Sequence, residues 1–246
     1  MISPGVLDRI LTSGAFALSG RRVSAVLDAL LSGASLIDAF RAGGIYTAAT
    51  RTLQRAADQT LAAFGSAYQI DVALTGSLSR RAVLVGQSFA QRSLAHLAGL
   101  AEPNLRTGLR LYQTGQISKK ALTALLPVPQ INTLINTGLA GIQRQVSKQS
   151  AQLVTESGAI LYLYAGPDDA AARPYCAALA GLVVEESALA NTPNAQGLNP
   201  TVYCGGYNCR HSLIPVNESI VREQGLTLAT ASDYSAAATG AATGRR

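Results

Sequence analysis

The chain has 246 residues, of which 48% are hydrophobic and 5% aromatic, with no tryptophan. So much apolar content excludes general disorder. With so few rings, the interior has to be filled by Ala, Leu and other aliphatic side chains, a composition that suits packed helices better than a β-sandwich. The formal charge of +6 is uneven: residues 1–125 carry 13 Lys and Arg against 6 Asp and Glu, and residues 126–246 carry 7 against 8. Any attraction for nucleic acid or an acidic partner therefore belongs to the first half. Its basic residues are scattered, without the aromatic interleaving of a single-strand-binding groove, and equally describe a solvated helix surface. No apolar window reaches the length of a membrane span, and the stretch Ile10–Leu18 is broken by Thr12, Ser13 and Gly14. Neither a transmembrane helix nor a secretory signal is expected, and cytoplasmic synthesis is the default.

In chain order, the first 45 residues read as short helices divided by glycines. Val23, Val26, Leu27, Leu30 and Leu31 share a face before Gly33, and Leu36, Ile37 and Phe40 share another before Gly43 and Gly44. From Ile45 a long amphipathic helix is expected, because Ile45, Ala49, Leu53, Ala56, Thr60, Phe64, Tyr68 and Val72 fall on one stripe. Gly76 is expected to close it, with Ser77 or Ser79 capping a helix that carries Val83, Val85, Phe89, Leu94 and Leu97 as far as Gly99. Pro103 then reads as the start of a further helix ending near Gly115. Ser118 caps a turn containing Leu122, Leu125 and Leu126, which Pro127 and Pro129 stop. A last long helix runs from about Ile131 to Glu156 on Leu134, Leu139, Ile142, Val146 and Leu153. His96 lies in the run Leu94–Leu100 as a helix-surface or hydrogen-bonded core histidine.

The character changes at Gly158. Ile160–Tyr164, Leu182–Val184 and Leu213–Val216 read as short strands, the first followed by the turn Gly166-Pro-Asp-Asp169. Residues 191–200 (NTPNAQGLNP) read as a loop, and the last dozen residues, low in bulky side chains, as a flexible tail. Tyr162 and Tyr164 are expected in the strand core. The fold class that follows is mainly α: a helical body over 1–130, a small α+β Cys/His module over 131–216, and an extension with a flexible tail over 217–246.

All three cysteines, Cys176, Cys204 and Cys209, lie in the second half. An odd number in a chain without a secretory signal favours thiols or metal ligands over a disulfide framework. Cys204 and Cys209 are separated by four residues, a spacing zinc sites use, and Cys209 and His211 point to one face of an extended backbone. With Cys176 they make a candidate Cys₃His zinc site that would staple a module with little core of its own. Three other readings stay open: buried thiols with a hydrogen-bonded His211, a Cys204–Cys209 disulfide, and a Cys/His nucleophile with Asp168 or Asp169 orienting His211. No substrate pocket or oxyanion donor is evident in the sequence, so no catalytic residue is assigned. For Arg173 and Arg210, near Asp168 and Asp169, an internal ion pair is the simplest account, and contact with a partner or DNA the sharper one.

The ordered pieces Tyr164, Asp168-Asp169, Arg173-Pro174, Cys176, Gly181-Leu-Val183 and Asn208-Cys-Arg-His211 resemble the C-terminal region of the Mu F-like minor head proteins of tailed phages, the phage head morphogenesis family. The resemblance covers roughly residues 130–216. Ala171 and Ala172 depart from it, standing where that family usually has Arg and Thr. It implies a structural virion protein, not an enzyme, made in the host cytoplasm and present in several copies in the head interior or at the portal vertex. It would act in head assembly near the portal, with portal and other head proteins as partners, and in contact with packaged DNA during its passage. The competing expectations are a zinc-stabilised nucleic-acid-binding or ejected virion protein and, from another class, a thiol-dependent hydrolase.

Overall fold

The computed structural model describes residues 5–6, 9–10, 15–68, 72–154 and 158–243. It is mainly α, with a small three-stranded antiparallel sheet near the C-terminus. Two short helices, α1 (Gly20–Leu31) and α2 (Leu36–Ala42), come first, and the Ser35 side chain caps α2 by accepting from the Asp38 backbone N–H. They bury Val26, Leu27, Leu30, Leu36 and Phe40, the faces that the apolar spacing predicted.

Helix α3 (Ile45–Tyr68) buries Ile45, Ala49, Leu53, Ala56, Thr60 and Phe64, one stripe along its length. The Thr60 hydroxyl satisfies itself on the Ala56 carbonyl at 2.7 Å. The Tyr68, Val72 and Leu153 side chains, placed on apolar faces from the sequence, lie outside the described residues, as does Glu156.

Two helix boundaries differ from the sequence expectation. Helix α4 runs unbroken from Val72 to Gln113, so Gly76, Ser77, Ser79 and Gly99 are interior and Pro103 breaks nothing. Proline inside a helix costs about 3 kcal/mol through its missing N–H and its clash with the preceding turn. Burial on both sides outweighs that here, since Leu94 and Ala98 before Pro103 and Leu105 after it are all buried on one continuous face. At the second boundary, α5 (Lys119–Ala124), capped by Ser118 as predicted, gives way to α6 (Val128–Val154) with Pro129 in its first turn. There the absent N–H would have had no helical partner, so Pro129 begins a helix instead of stopping one.

Helices α3, α4 and α6 pack together as the centre of the body. The α4–α6 approach is close because of Gly86: a Cβ there would lie 2.6 Å from Ile142 Cγ1. Helix α6 is buried nearly all round, every residue from Thr137 to Arg144 being inaccessible. A helix buried on all its faces has neighbours on every side. On one side are α3 and α4, and on the other the C-terminal sheet and its loops. The extended segment at 15–19 is pinned to it as well, Phe16 N and Leu18 N donating to Asn136 and Asn132 at 2.7 and 3.0 Å.

The three strands appear where the sequence placed them: β1 (Leu161–Ala165) at the centre, β2 (Val183–Glu185) on one edge and β3 (Ser212–Val216) on the other. The register pairs Tyr162 with Val184 on one side and with Pro215 on the other. Pro215 is tolerated because β3 is an edge strand. Alternation puts Tyr162, Tyr164 and Leu213 on the face toward the cysteines, and Ala165 and Ile214 on the face that joins the helical core. Four short helices, α7 (Pro174–Ala177), α8 (Glu186–Ala190), α9 (Pro200–Tyr203) and α10 (Glu218–Glu223), punctuate the loops.

The expected flexible tail is corrected. Residues Ala231–Thr243 form helix α11, which buries Ala237 and Ala241 beside α7. The small side chains that suggested flexibility are what permits the contact: a Cβ at Gly240 would stand 2.8 Å from Pro174 Cβ. Among the described residues, no helix is long and apolar enough to cross a membrane.

Candidate metal centre

Cys176 lies in α7, where Pro174 fixes the first turn and Arg173 begins it. Cys209 and His211 lie on the extended stretch leading into β3. Folding brings these segments together. Cys176 Sγ is 3.5 Å from Cys209 Sγ, and Cys209 Sγ is 3.8 Å from His211 Nδ1. The candidate ligand atoms of Cys176, Cys209 and His211 all lie within 4.8 Å of one another, and all three residues are buried. Tetrahedral zinc, with bonds of about 2.3 Å to sulfur and 2.0 Å to nitrogen, needs ligand–ligand edges of about 3.5–3.8 Å. The three residues are close enough to bind a metal ion. The His211 nitrogen against Cys209 is Nδ1, and Nε2 is buried without a hydrogen-bonding partner.

Cys204, the fourth residue singled out from the sequence, is fully buried, but its sulfur falls outside that set. Its backbone has φ 46 and ψ −120, which side-chain-bearing residues rarely adopt, and such strain costs of order 1–3 kcal/mol. Gly205 follows where nothing larger fits, since a Cβ there would meet Cys176 Sγ at 2.3 Å. All three cysteines are free thiols.

Electrostatics divides the sulfurs. Cys209 accepts from Cys176 and Cys204, which holds its thiol well below the usual range. Cys176 is pushed up by its hydrogen bond to Cys209 and by burial, and Cys204 by burial and then by the same neighbour. Tyr164, from β1, reaches Cys176 Sγ with its hydroxyl at 3.4 Å and stacks obliquely on the His211 ring. Its partner Tyr162 donates to Glu186 at 2.9 Å, so both tyrosines are strand core, as expected.

The sequence reading gave no weight to Arg144, which is fully buried on α6. Its Nε donates to the His211 carbonyl at 2.9 Å, and its Nη atoms to the carbonyls of Val202 at 3.3 Å and Cys209 at 2.8 Å. It thereby fastens the ligand-bearing backbone to the helical body. Burial works to lower its pKa, and Cys204, Cys209, Tyr164 and Cys176 together offset that, so the net shift is upward. No local signal set it apart, because it stands in the polar run Gln143-Arg-Gln-Val-Ser-Lys148, which reads as a solvated stretch of helix. Asn194 was missed too: inside the predicted loop, its Nδ2 donates to the carbonyls of Leu198 and Cys204 at 2.8 Å.

The remaining candidates fall outside the cluster. Asp169 pairs with Arg210 at 2.8 Å, an exposed bond that holds its carboxyl at about 2. Asp169 thus pairs with Arg210 and not with His211, and Asp168 is exposed. Arg173 donates to the Tyr207 carbonyl. His96 is exposed on α4. The fold and the site together define a mainly helical protein with a buried Cys/His cluster able to hold a metal ion. No protein-family model, curated protein or solved structure matches the chain.

Proposed function

We propose that the chain is a structural minor head protein of a tailed phage, acting in head assembly near the portal, and that its C-terminal module is stapled by a zinc ion. The observation that carries this reading is convergence. Pieces that carry the resemblance to the head-morphogenesis family meet in space: Asp169 with Arg210, Cys176 with Cys209, and Gly181 with Tyr164 through a 2.9 Å backbone bond. Pieces that close on one another are what a single folding module requires.

Cys176, Cys209 and His211 would hold the zinc, with Cys204 beside them. The ion's contribution would be structural, because the free energy of binding metal is free energy of folding. The inaccessibility of all three thiols favours this over a nucleophilic role, which needs a sulfur that substrate can reach. In this reading the helical body docks on portal and other head proteins. Leu84 and Leu100, exposed on α4 at 61% and 65%, are apolar contacts available for that, and the arginines of the same helix could lie beside packaged DNA.

Quantitative mass spectrometry of purified DNA-filled particles and empty heads tests the assignment. A low, fixed number of copies per particle is expected. Absence from both would overturn the virion reading without touching the metal one.

A further inference from the structure

Arg144 raises a question of charge. It is fully buried, and its guanidinium is spent on the backbone carbonyls of Val202, Cys209 and His211. Among the described residues no carboxylate pairs with it: the ion pairs there engage Arg41, Arg106, Lys119, Lys148, Arg210 and Arg222. A buried cation needs a compensating anion close by. The groups placed to supply one are cysteine sulfurs: Arg144 donates to the Cys209 carbonyl at 2.8 Å, and Cys209 Sγ stands 3.5 Å from Cys176 Sγ.

The inference rests on the metal reading above and fixes its ligand count. A sulfur that binds a metal ion does so as a thiolate. A divalent ion held by Cys176, Cys209 and the neutral His211 ring would carry no net charge, leaving Arg144 uncompensated in the interior. A third thiolate makes the centre singly negative, and Arg144 then neutralises it. We infer that Arg144 is the built-in counter-charge of a three-thiolate, one-imidazole centre in which Cys204 is the fourth ligand.

The backbone gives independent support. Cys204 holds a φ of 46 that glycine would adopt freely, although two glycines stand immediately after it. The strained position holds a fully buried cysteine, and the turn at Gly205 that follows is pressed onto Cys176 and Cys209, where an added Cβ would stand 2.3 and 3.7 Å from their sulfurs. Cys204 Sγ lies outside the set formed by the other three ligand atoms. Ligation therefore requires its side chain and the glycine turn to close in. Arg144 touches the ligand backbone and not the ion, so it is a positioning residue.

Cobalt(II) chloride added to the metal-stripped full-length protein provides the test, because sulfur-to-cobalt charge-transfer absorbance grows with each thiolate bound. Wild type should show three-thiolate intensity, and Cys204→Ser should lose about one third of it. Arg144→Gln, which keeps donors and loses charge, should weaken cobalt affinity by about 10–100-fold, and Arg144→Lys should recover most of that loss. Unchanged absorbance in Cys204→Ser overturns the ligand assignment, and it decides that point whether or not the Arg144 variants fold. Equal affinity loss in the Gln and Lys variants overturns the charge argument. Failure of the wild type to take up cobalt or zinc sinks the metal reading itself, a result distinct from both.

Discussion

The helical body and the C-terminal module are both buried structures, yet their interiors are made of different things. Inside the body lie Leu36, Phe40, Ile45, Leu53, Phe64, Leu94 and Ile135, each essentially inaccessible, with Thr60 satisfied by its own helix. Inside the module lie an arginine, three thiols, an imidazole and three tyrosine rings beside a smaller set of aliphatic side chains, around short strands and one-turn helices. A body of the first kind spreads its stability over many apolar contacts, so each one counts moderately. A module of the second kind concentrates its stability in a few polar groups whose partners have to be present together. Helix α6 is shared by the two: Ile142 and Val146 face the aliphatic core while Arg144 reaches the module.

The comparison can be broken most directly at Arg144. Arg144→Met leaves the carbonyls of Val202, Cys209 and His211 without their donor and the sulfurs without their cation. We expect a loss of about 3–5 kcal/mol in urea unfolding, in the range for removing one partner of a buried charged cluster. A loss below about 1 kcal/mol would show that the module does not lean on this residue. In the body, Leu53→Ala should cost about 3 kcal/mol for the transfer and the cavity together. That cost should be the same with and without chelator, and a metal-dependent cost would erase the distinction between the two regions.

The smallest effect is expected at the module's surface, where Asp169 and Arg210 pair with side chains nearly half exposed. Arg210 holds the folded Asp169 carboxyl at about 2, below its unfolded value. Its contribution is therefore complete above the unfolded pKa of about 3.9 and disappears as pH falls from there through the folded value. Wild type and Asp169→Asn should differ only slightly in Tm at neutral pH, because solvent screens the pair, and should converge near the acid end of that window. A difference that persists in acid would mean the turn depends on Asp169 for something other than charge.

The same contrast explains what the sequence made legible. Helical periodicity reports one buried face, so the stripes of α1, α2 and α3 were readable, as were the three strands as short apolar runs bounded by turns. Pro103 and Pro129 were misread because local punctuation says nothing about the burial that overrides it, nor about whether a proline stands at the start or the end of a helix. The Ala-rich C-terminal helix was misread because small residues signal flexibility and close packing alike. At the site, the spacing of Cys204, Cys209 and His211 was visible in one short segment, and Cys176 could be added to it. Arg144, distant in sequence and set among Gln143, Gln145 and Lys148, carried no local mark of its neighbours.

In the proposed reading a metal ion holds the module together while the body stands without one. Hydrogen exchange on the purified protein, with its metal content determined and then after chelation, tests that most directly. The account predicts one zinc per chain, with amides of β1, β3 and the Cys204–His211 segment losing protection on chelation while those of α3 and α4 keep theirs. Protein without bound metal, or a module whose protection is indifferent to the chelator, would contradict it.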